Sequence, residues 1–209
     1  TRDTGLYMAS EKPALFHATL RRLSEHRDTA IAEAARNLLI SDRIYEYNRR
    51  ARTEATGFQS NDTREEYMKR QFMAKYRSAA ASGSLPRVVL YGGLGHMYTG
   101  ASPFGPLSLG NFIREFATAN GTRAFNLALL PNNPAGAEVG DLRRWAAMAP
   151  LAESPAPDRL TLIDLRALRN YAYNGRFGPL PAHLRRMIMH YHAVLLIGGI
   201  EEARRTIAQ

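Results

Sequence analysis

The sequence predicts an α/β protein in which a mostly parallel sheet, flanked by helices, follows an N-terminal helical region. Three observations lead to this prediction. Residues 1–82 carry helical patterns and no strand pattern. From residue 87 onward, short apolar runs alternate with helical segments. The chain has 209 residues, which is long enough for one sizeable core together with a helical appendage.

The first third of the chain is predicted to be helical. Three residues with capping side chains mark the starts of helices before residue 50: Ser10, Asp28 and Ser41. The motif Thr63-x-x-Glu66 matches a capping box, in which each side chain bonds the other residue's backbone. It predicts that a long helix begins there and ends at Gly83.

The rest of the chain alternates predicted strands and helices. The predicted strands are 87–92, 123–130, 160–165 and 193–198. Helices are predicted between them, one capped by Ser108 and another over 181–190. Further helices are predicted over 141–148, which holds the only tryptophan, and over 201–207. Such alternation is typical of a parallel sheet.

Composition excludes several classes of protein. The chain is 45% hydrophobic and 22% charged, as ordinary globular proteins are, and it has no cysteine for a disulfide or thiolate site. No apolar run approaches the roughly 20 residues that cross a bilayer. No signal peptide is visible, and the sequence does not decide between cytoplasm and periplasm. Because the chain begins with Thr1, we expect a segment upstream of it.

The positive charge does not predict a nucleic-acid partner. The net charge is +9, and all but three of the 28 basic residues are arginines. Ten of these arginines form five adjacent pairs, each in a different predicted helix, and no basic stripe is interleaved with aromatic residues. Solvated helix faces explain them better. We expect a small molecule or a peptide as the partner, and the sequence does not indicate an oligomeric state.

The strongest functional signal lies in residues 87–100. An apolar run is followed by Gly92, Gly93 and Gly95, and then by His96. A buried strand that ends in a glycine-rich turn with a titratable ring is typical of the active sites of α/β enzymes. The alternative is that His96 only caps the sheet, since glycine-rich turns after strands are common.

These residues also resemble a group of related families. Arg64-x-x-x-Met68 on a long helix, followed by an apolar strand that ends in Gly93-x-x-His96, is similar to three of them. They are the erythromycin esterase-like proteins, the TraB/TIKI family and the haem-uptake ChaN-like proteins. The resemblance covers roughly residues 60–200, and the helix that Ser108 opens is most similar to the esterase branch.

The resemblance implies an active site assembled from two halves. Arg64 matches the helix arginine and His96 matches the histidine of the second half. The first-half acid and histidine have no counterpart here, so the chain resembles the C-terminal portion of such a protein. Gly93 stands where the esterase branch has the first histidine of His-Asn-x-His. The Gly-x-x-His pattern of this sequence is closer to that of the TraB/TIKI branch, whose members include metal-dependent proteases.

We therefore expect two regions in the chain. Residues 1–60 would form a helical excursion of the α/β fold. Residues 61–209 would form the half of the α/β domain that carries the Gly-x-x-His turn. The carboxylate that a hydrolase needs is expected upstream of Thr1, because Glu65 and Glu66 should point to different sides of the helix.

The expected chemistry rests on two side chains. The imidazole of His96 can take a proton from water or bind a divalent metal, although the sequence does not identify a cofactor. The guanidinium of Arg64 can stabilise an oxyanion, although a surface arginine is the plainer interpretation. Gly93 and Tyr98 are expected to contact substrate. The predicted function is hydrolysis of an ester or amide bond; the alternative is a non-catalytic protein that binds haem, metal or another small ligand.

Overall fold

The computed structural model describes residues 8–83, 85–132, 149–152 and 160–198, without the side chains of 52–54. The chain forms two compact units. One comprises Thr1–His96 and Ala101–Phe112, and the other comprises Met97–Gly100 and Ile113–Gln209. The helices predicted over 141–148 and 201–207 lie outside the described residues. The predicted division of the chain at residue 60 stays a prediction.

Three consecutive helices form most of the described part of the first unit: α1 (Ala14–Ser24), α2 (Thr29–Glu54) and α3 (Gly57–Ala80). Asp28 caps α2 as predicted, because its carboxylate accepts from the backbone N–H groups of Ala30 and Ile31. Ser41 does not start a new helix. It lies inside α2, whose 26 residues contain neither glycine nor proline to interrupt them.

The start of α3 also differs from the prediction. Ala55 adopts the left-handed conformation with φ of 54° and turns the chain, and α3 begins at Gly57. Thr63 therefore lies within the helix, so the predicted capping box is wrong. Glu66 is exposed and pairs instead with Arg70 one turn later, with 3.2 Å between its Oε2 and the guanidinium.

Buried polar side chains form contacts between neighbouring helices of the first unit. The carboxylate of Asp42 in α2 is buried and lies 2.6 Å from Nε2 of His17 in α1. In the α2–α3 hairpin, the buried hydroxyl of Ser60 donates to the backbone carbonyl of Ile44 at 3.1 Å. These contacts join neighbouring helices through buried polar groups. The other oxygen of Asp42, Oδ1, has no hydrogen-bond partner among the described residues and lies 3.7 Å from the guanidinium of Arg49.

The predicted strand over 87–92 is wrong. These residues form no strand, and none of residues 85–92 makes a hydrogen bond within the part of the chain that the structure describes. The side chains of Val89 and Tyr91 are 97% and 89% exposed. An apolar run predicts a buried strand, but a strand forms only where a second strand lies beside it.

The second unit contains a three-stranded sheet in the order β1–β3–β2. Its strands are β1 (Leu127–Pro131), β2 (Leu160–Asp164) and β3 (Ala193–Ile197). β1 pairs with β3 in parallel from Leu127↔Ala193, whereas β2 pairs with β3 antiparallel from Leu160↔Ile197. β3 is central, so Val194 and Leu196 are fully buried.

The remaining helices are α4 (Leu109–Ala119), α5 (Ala149–Ala152), α6 (Arg169–Tyr173) and α7 (Ala182–His190). Short 3₁₀ turns occupy Leu94–His96 and Arg166–Leu168. Ser108 caps α4 as predicted, since its hydroxyl accepts from the backbone N–H of Asn111 at 3.1 Å. Arg169 donates to the carbonyls of Ile188 and Tyr191 and so caps the C-terminal end of α7.

The predicted fold class is wrong. The structure is 58% helical and has one small mixed sheet with a single parallel pair, so no mostly parallel sheet flanked by helices is present in the described residues. Two physical reasons account for the difference. No strand of the described residues lies beside the run at 87–92, and local periodicity does not encode the direction of β2. Among the described helices, none is both long and apolar enough to cross a membrane.

Candidate functional site

The Gly-x-x-His turn forms as a single 3₁₀ turn in the first unit. The backbone N–H of His96 donates to the carbonyl of Gly93 at 3.0 Å, which closes the turn. A Cβ added at Gly93 would lie 3.6 Å from Cδ2 of the imidazole, which is an ordinary contact. The turn therefore sets the direction of the His96 side chain without requiring a glycine at position 93.

The turn brings His96 to a carboxylate on α3. Nδ1 of His96 lies 2.7 Å from Oε1 of Glu65. The Glu65 side chain is 1% exposed and that of His96 is 18% exposed. A buried carboxylate needs partners of this kind, because burial without them would cost several kcal/mol.

Glu65 also holds the start of α4. Its second oxygen, Oε2, accepts from the backbone N–H of Leu109 at 2.6 Å. The first N–H groups of a helix have no partner inside the helix, and the helix dipole favours negative charge at that end. Both oxygens of Glu65 are thus engaged, one by the imidazole and one by the helix.

These bonds fix the tautomer of His96. A carboxylate can only accept, so Nδ1 of the imidazole must carry the proton. The lone pair of the neutral ring then sits on Nε2. Within the described residues Nε2 has no hydrogen-bond partner. The arrangement leaves one imidazole nitrogen able to accept a proton or to bind a ligand.

The loop after the turn lies against the imidazole. The ring centroids of Phe104 and His96 are 6.4 Å apart. Ser102 and Pro106 close the loop through a 2.8 Å backbone hydrogen bond, and Lys69 of α3 donates to the carbonyl of Leu107 at 2.6 Å. The loop therefore gives His96 an apolar neighbour and is tied to the same helix that carries Glu65.

Gly95, one residue before His96, lies against the ring of Phe104. A Cβ added at Gly95 would stand 2.6 Å from Cε2 of Phe104, which is closer than real Cβ contacts allow. The absence of a side chain at Gly95 lets the Phe104 ring approach the turn. Gly95, rather than Gly93, is thus the glycine on which the local packing depends.

Arg64 lies next to Glu65 on α3 and is half-buried. Among the described side chains, no hydrogen bond or ion pair joins Arg64 to His96. The structure brings His96 together with the neighbouring residue instead. The role of Arg64 in the site stays a prediction.

Tyr98 belongs to the second unit, where it is 7% exposed. Its ring packs at 5.6 Å from the ring of His190 and at 5.3 Å from that of Tyr191. Burial raises the pKa of Tyr98. These contacts make Tyr98 a core residue of its unit, and its predicted contact with substrate stays a prediction.

Glu65 is the residue of the candidate site that the sequence analysis did not predict. The expected carboxylate was placed upstream of Thr1, yet one lies on α3. The signal was present: Glu65, Met68 and Phe72 recur at spacings of three and four and so share one helix face. A carboxylate in line with apolar core residues indicates a buried partner. The misplaced helix start concealed this pattern.

A metal centre does not fit these side chains by themselves. No group of three or more His, Asp or Glu residues comes together in the described part of the chain. Protein metal sites with an open position use three protein ligands. Because Glu65 already occupies Nδ1 of His96, the site offers a metal one nitrogen.

No family model, no curated protein and no solved structure matches this chain.

Proposed function

We propose that this chain is a hydrolase-like protein that acts on an ester or amide bond, with His96 as the general base. The observation that carries the proposal is the 2.7 Å contact between His96 Nδ1 and the buried carboxylate of Glu65. A histidine whose ring is oriented by a buried carboxylate is the arrangement that several hydrolases use to activate a nucleophile.

The proposed reaction begins with water at Nε2 of His96. The imidazole takes a proton while the water oxygen attacks the substrate's carbonyl carbon, and the carbonyl oxygen becomes an oxyanion. Glu65 stabilises the imidazolium through the Nδ1–H bond. The tetrahedral intermediate then collapses, the bond to the leaving oxygen or nitrogen breaks, and the imidazolium returns its proton to that atom. In this proposal Arg64 would stabilise the oxyanion.

The same residues support the proposed family. The Arg64-x-x-x-Met68 and Gly93-x-x-His96 motifs resemble the erythromycin esterase-like, TraB/TIKI and ChaN-like proteins, of which we propose this chain to be a C-terminal portion. Glu65 extends the first motif, because it follows the arginine directly and contacts the histidine of the second motif. The two motifs are thus joined by one hydrogen bond.

A second function is favoured by a separate observation. Within the described residues, Nε2 of His96 has no partner and lies on a ring beside that of Phe104, so His96 could hold a flat apolar cofactor such as haem. A ligating histidine commonly donates its other N–H to a carboxylate, as His96 does to Glu65. A non-catalytic protein that binds haem or another small ligand is therefore the alternative.

Hydrolysis of p-nitrophenyl esters and of a peptide amide panel tests the first function. His96→Ala should lower turnover by about 100-fold or more, since general base catalysis contributes at least that factor. His183→Ala is the matched control, because it removes an exposed imidazole in the other unit. Full activity in a folded His96→Ala protein would end the hydrolase proposal. A haem absorbance band that depends on His96, without turnover, would favour the alternative.

A further inference from the structure

The loop that follows the Gly-x-x-His turn presents an apolar side chain next to His96. Phe104 is 51% exposed, and its ring centroid lies 6.4 Å from that of the imidazole. The ring can approach because Gly95 has no side chain, since a Cβ there would stand 2.6 Å from Cε2 of Phe104. All three residues belong to the first unit. A half-exposed phenyl ring therefore borders the candidate general base.

Hydrogen bonds hold the tip of this loop in one conformation. Ser102 and Pro106 are buried, and the N–H of Ser102 donates to the carbonyl of Pro106 at 2.8 Å. The hydroxyl of Ser102 accepts from the N–H of Phe104 at 3.1 Å, and its carbonyl accepts from the N–H of Gly105 at 3.0 Å. Gly105 has a φ of 104°, which favours glycine. These bonds fix the direction in which the Phe104 side chain leaves the loop.

Two contacts attach the loop to α3, the helix that carries Glu65. Lys69 donates to the carbonyl of Leu107 at 2.6 Å. Gly105 lies against the ring of Phe58, because a Cβ added at Gly105 would stand 3.2 Å from Cδ2 of that ring. The same helix thus positions the Glu65–His96 pair and the Phe104 loop. A ligand that contacts the phenyl ring needs little reordering of the loop, which lowers the cost of binding.

The position of Phe104, rather than its exposure, points to a ligand. Single exposed apolar side chains are common on protein surfaces and indicate nothing by themselves. Glu65 occupies Nδ1 of His96, so a substrate approaches the opposite nitrogen, Nε2. In the proposed reaction a water lies about 3 Å from Nε2, and the carbonyl carbon lies about 3 Å beyond the water. An acyl chain of several carbons is long enough to reach from there to the Phe104 ring, whereas an acetyl methyl group is not.

We propose that Phe104 binds the apolar acyl chain of the substrate, so that the site selects medium-chain acyl esters or amides over acetyl ones. This inference rests on the proposed hydrolase function and names its substrate class. The exposed side chains of residues 102–107 are those of Phe104 and Leu107, and both are apolar. Phe104 is thus a specificity-determining residue that contacts the substrate and takes no part in proton transfer.

The hydrolysis of p-nitrophenyl acetate, butyrate and hexanoate tests the proposal. Complete burial of one methylene group corresponds to roughly a fourfold gain, and the ring covers one side of the chain, so we expect kcat/KM to rise about tenfold from acetate to hexanoate. The rise should appear in KM rather than in kcat, because the chain contacts the ring equally in the ground state and the transition state.

Substitution of the ring shows whether Phe104 causes this selectivity. Phe104→Ala should lower the hexanoate-to-acetate ratio of kcat/KM to about one, and Phe104→Leu should retain most of the ratio because leucine keeps an apolar side chain. Phe177→Ala is the matched control, since it removes another half-exposed phenyl ring, in the second unit, and should keep the native ratio. Equal rates for the three esters, or selectivity that persists in Phe104→Ala, would overturn the inference and leave the hydrolase proposal standing.

A binding measurement separates this inference from the failure of the proposed function. The unreactive ketones 2-octanone and acetone are compared for their ability to protect His96 from diethyl pyrocarbonate, with the modified residue identified by mass spectrometry. We expect 2-octanone to slow the modification at concentrations at which acetone does not, and Phe104→Ala to abolish that protection. If no ester is hydrolysed, the proposed function fails, and protection that depends on Phe104 still supports an apolar ligand at the ring. Equal protection by both ketones, or none, would overturn the inference.

Discussion

Oε1 of Glu65 lies 2.7 Å from Nδ1 of His96, while Oε2 of the same carboxylate accepts from the start of α4. One buried side chain therefore orients the candidate catalytic ring and stabilises a helix terminus. The two roles can be separated by substitution, because an amide retains an acceptor oxygen but loses the charge.

Replacement of Glu65 should affect activity and stability differently. Glu65→Gln keeps an acceptor for the N–H of Leu109, so we expect a loss of about 1–3 kcal/mol in unfolding free energy. The loss of charge removes the stabilisation of the imidazolium, and any hydrolysis should fall by about 100-fold or more. Glu65→Ala leaves both partners unpaired and should cost about 3–5 kcal/mol.

Urea titration and nitrogen NMR of the imidazole measure these effects. In the native protein the spectrum should show the proton on Nδ1, and Glu65→Gln should change that tautomer balance. Glu66→Gln is the control, because it breaks only an exposed i,i+4 pair worth about 0.2–0.5 kcal/mol. An unchanged tautomer in Glu65→Gln would contradict the assignment of the proton to Nδ1.

Alanine at Gly95 should displace the ring of Phe104. The added Cβ would meet Cε2 at 2.6 Å, and the half-exposed ring can rotate away more easily than the backbone can move. We expect His96 to react faster with diethyl pyrocarbonate as its neighbour withdraws. Gly93→Ala should not change the rate, because its Cβ meets the imidazole at an ordinary 3.6 Å. If Gly95→Ala and Phe104→Ala had fully additive effects, the contact between the two residues would be refuted.

Stability should fall as the pH drops below about 6.5 because of His192. Burial, followed by the positive charge of Arg169, lowers the pKa of His192. Its Nδ1 accepts from the backbone N–H of Asn126 at 2.9 Å, so the folded state holds the neutral ring. Below the unfolded pKa the unfolded chain binds a proton that the folded chain excludes, and folding then becomes less favourable.

Urea titrations between pH 8 and pH 5 detect this effect. His192→Asn should flatten the pH dependence, whereas His183→Asn removes an exposed ring and should preserve it. The hydrogen bonds from Arg166 hold the pKa of Asp164 at about 2, so that carboxylate titrates below this window. If the unfolding free energy of His192→Asn still depended on pH in this range, groups other than His192 would be responsible.

Removal of the α2 cap should destabilise the first unit. Asp28→Ala leaves the N–H groups of Ala30 and Ile31 without their acceptor, at a cost of about 0.5–2 kcal/mol. Asp28→Asn should retain most of the stability. Ser41→Ala tests the alternative helix start and should not lower the melting temperature, since Ser41 lies inside α2. A loss at Ser41 equal to that at Asp28 would contradict the continuous helix.

Local patterns predicted the elements better than their arrangement. Two helix caps, at Asp28 and Ser108, and the strand β3 depend on interactions within a few residues of the chain. These three predictions are confirmed. The direction of β2 depends on its partner across the sheet. The run at 87–92 has a strand composition but pairs with none of the strands that the structure describes, so composition alone was misleading there.

The candidate site was half visible in the sequence. His96 stands out because glycines surround it, whereas Glu65 looks like one charge among several on an exposed helix. Its burial depends on the turn and on α4, both of which are distant in sequence. Only the helical phase that Glu65 shares with Phe72 could have shown that its side chain points inward.

The bare segment at 85–92 has a practical consequence for handling the protein. Aliphatic and aromatic side chains are exposed to solvent there. The backbone amide and carbonyl groups of the segment make no hydrogen bond to the other described residues. An exposed apolar segment with unpaired backbone groups promotes aggregation, because two molecules can pair along it at high protein concentration. Low protein concentration, or the substitution Val89→Lys, should reduce aggregation enough for calorimetry and spectroscopy.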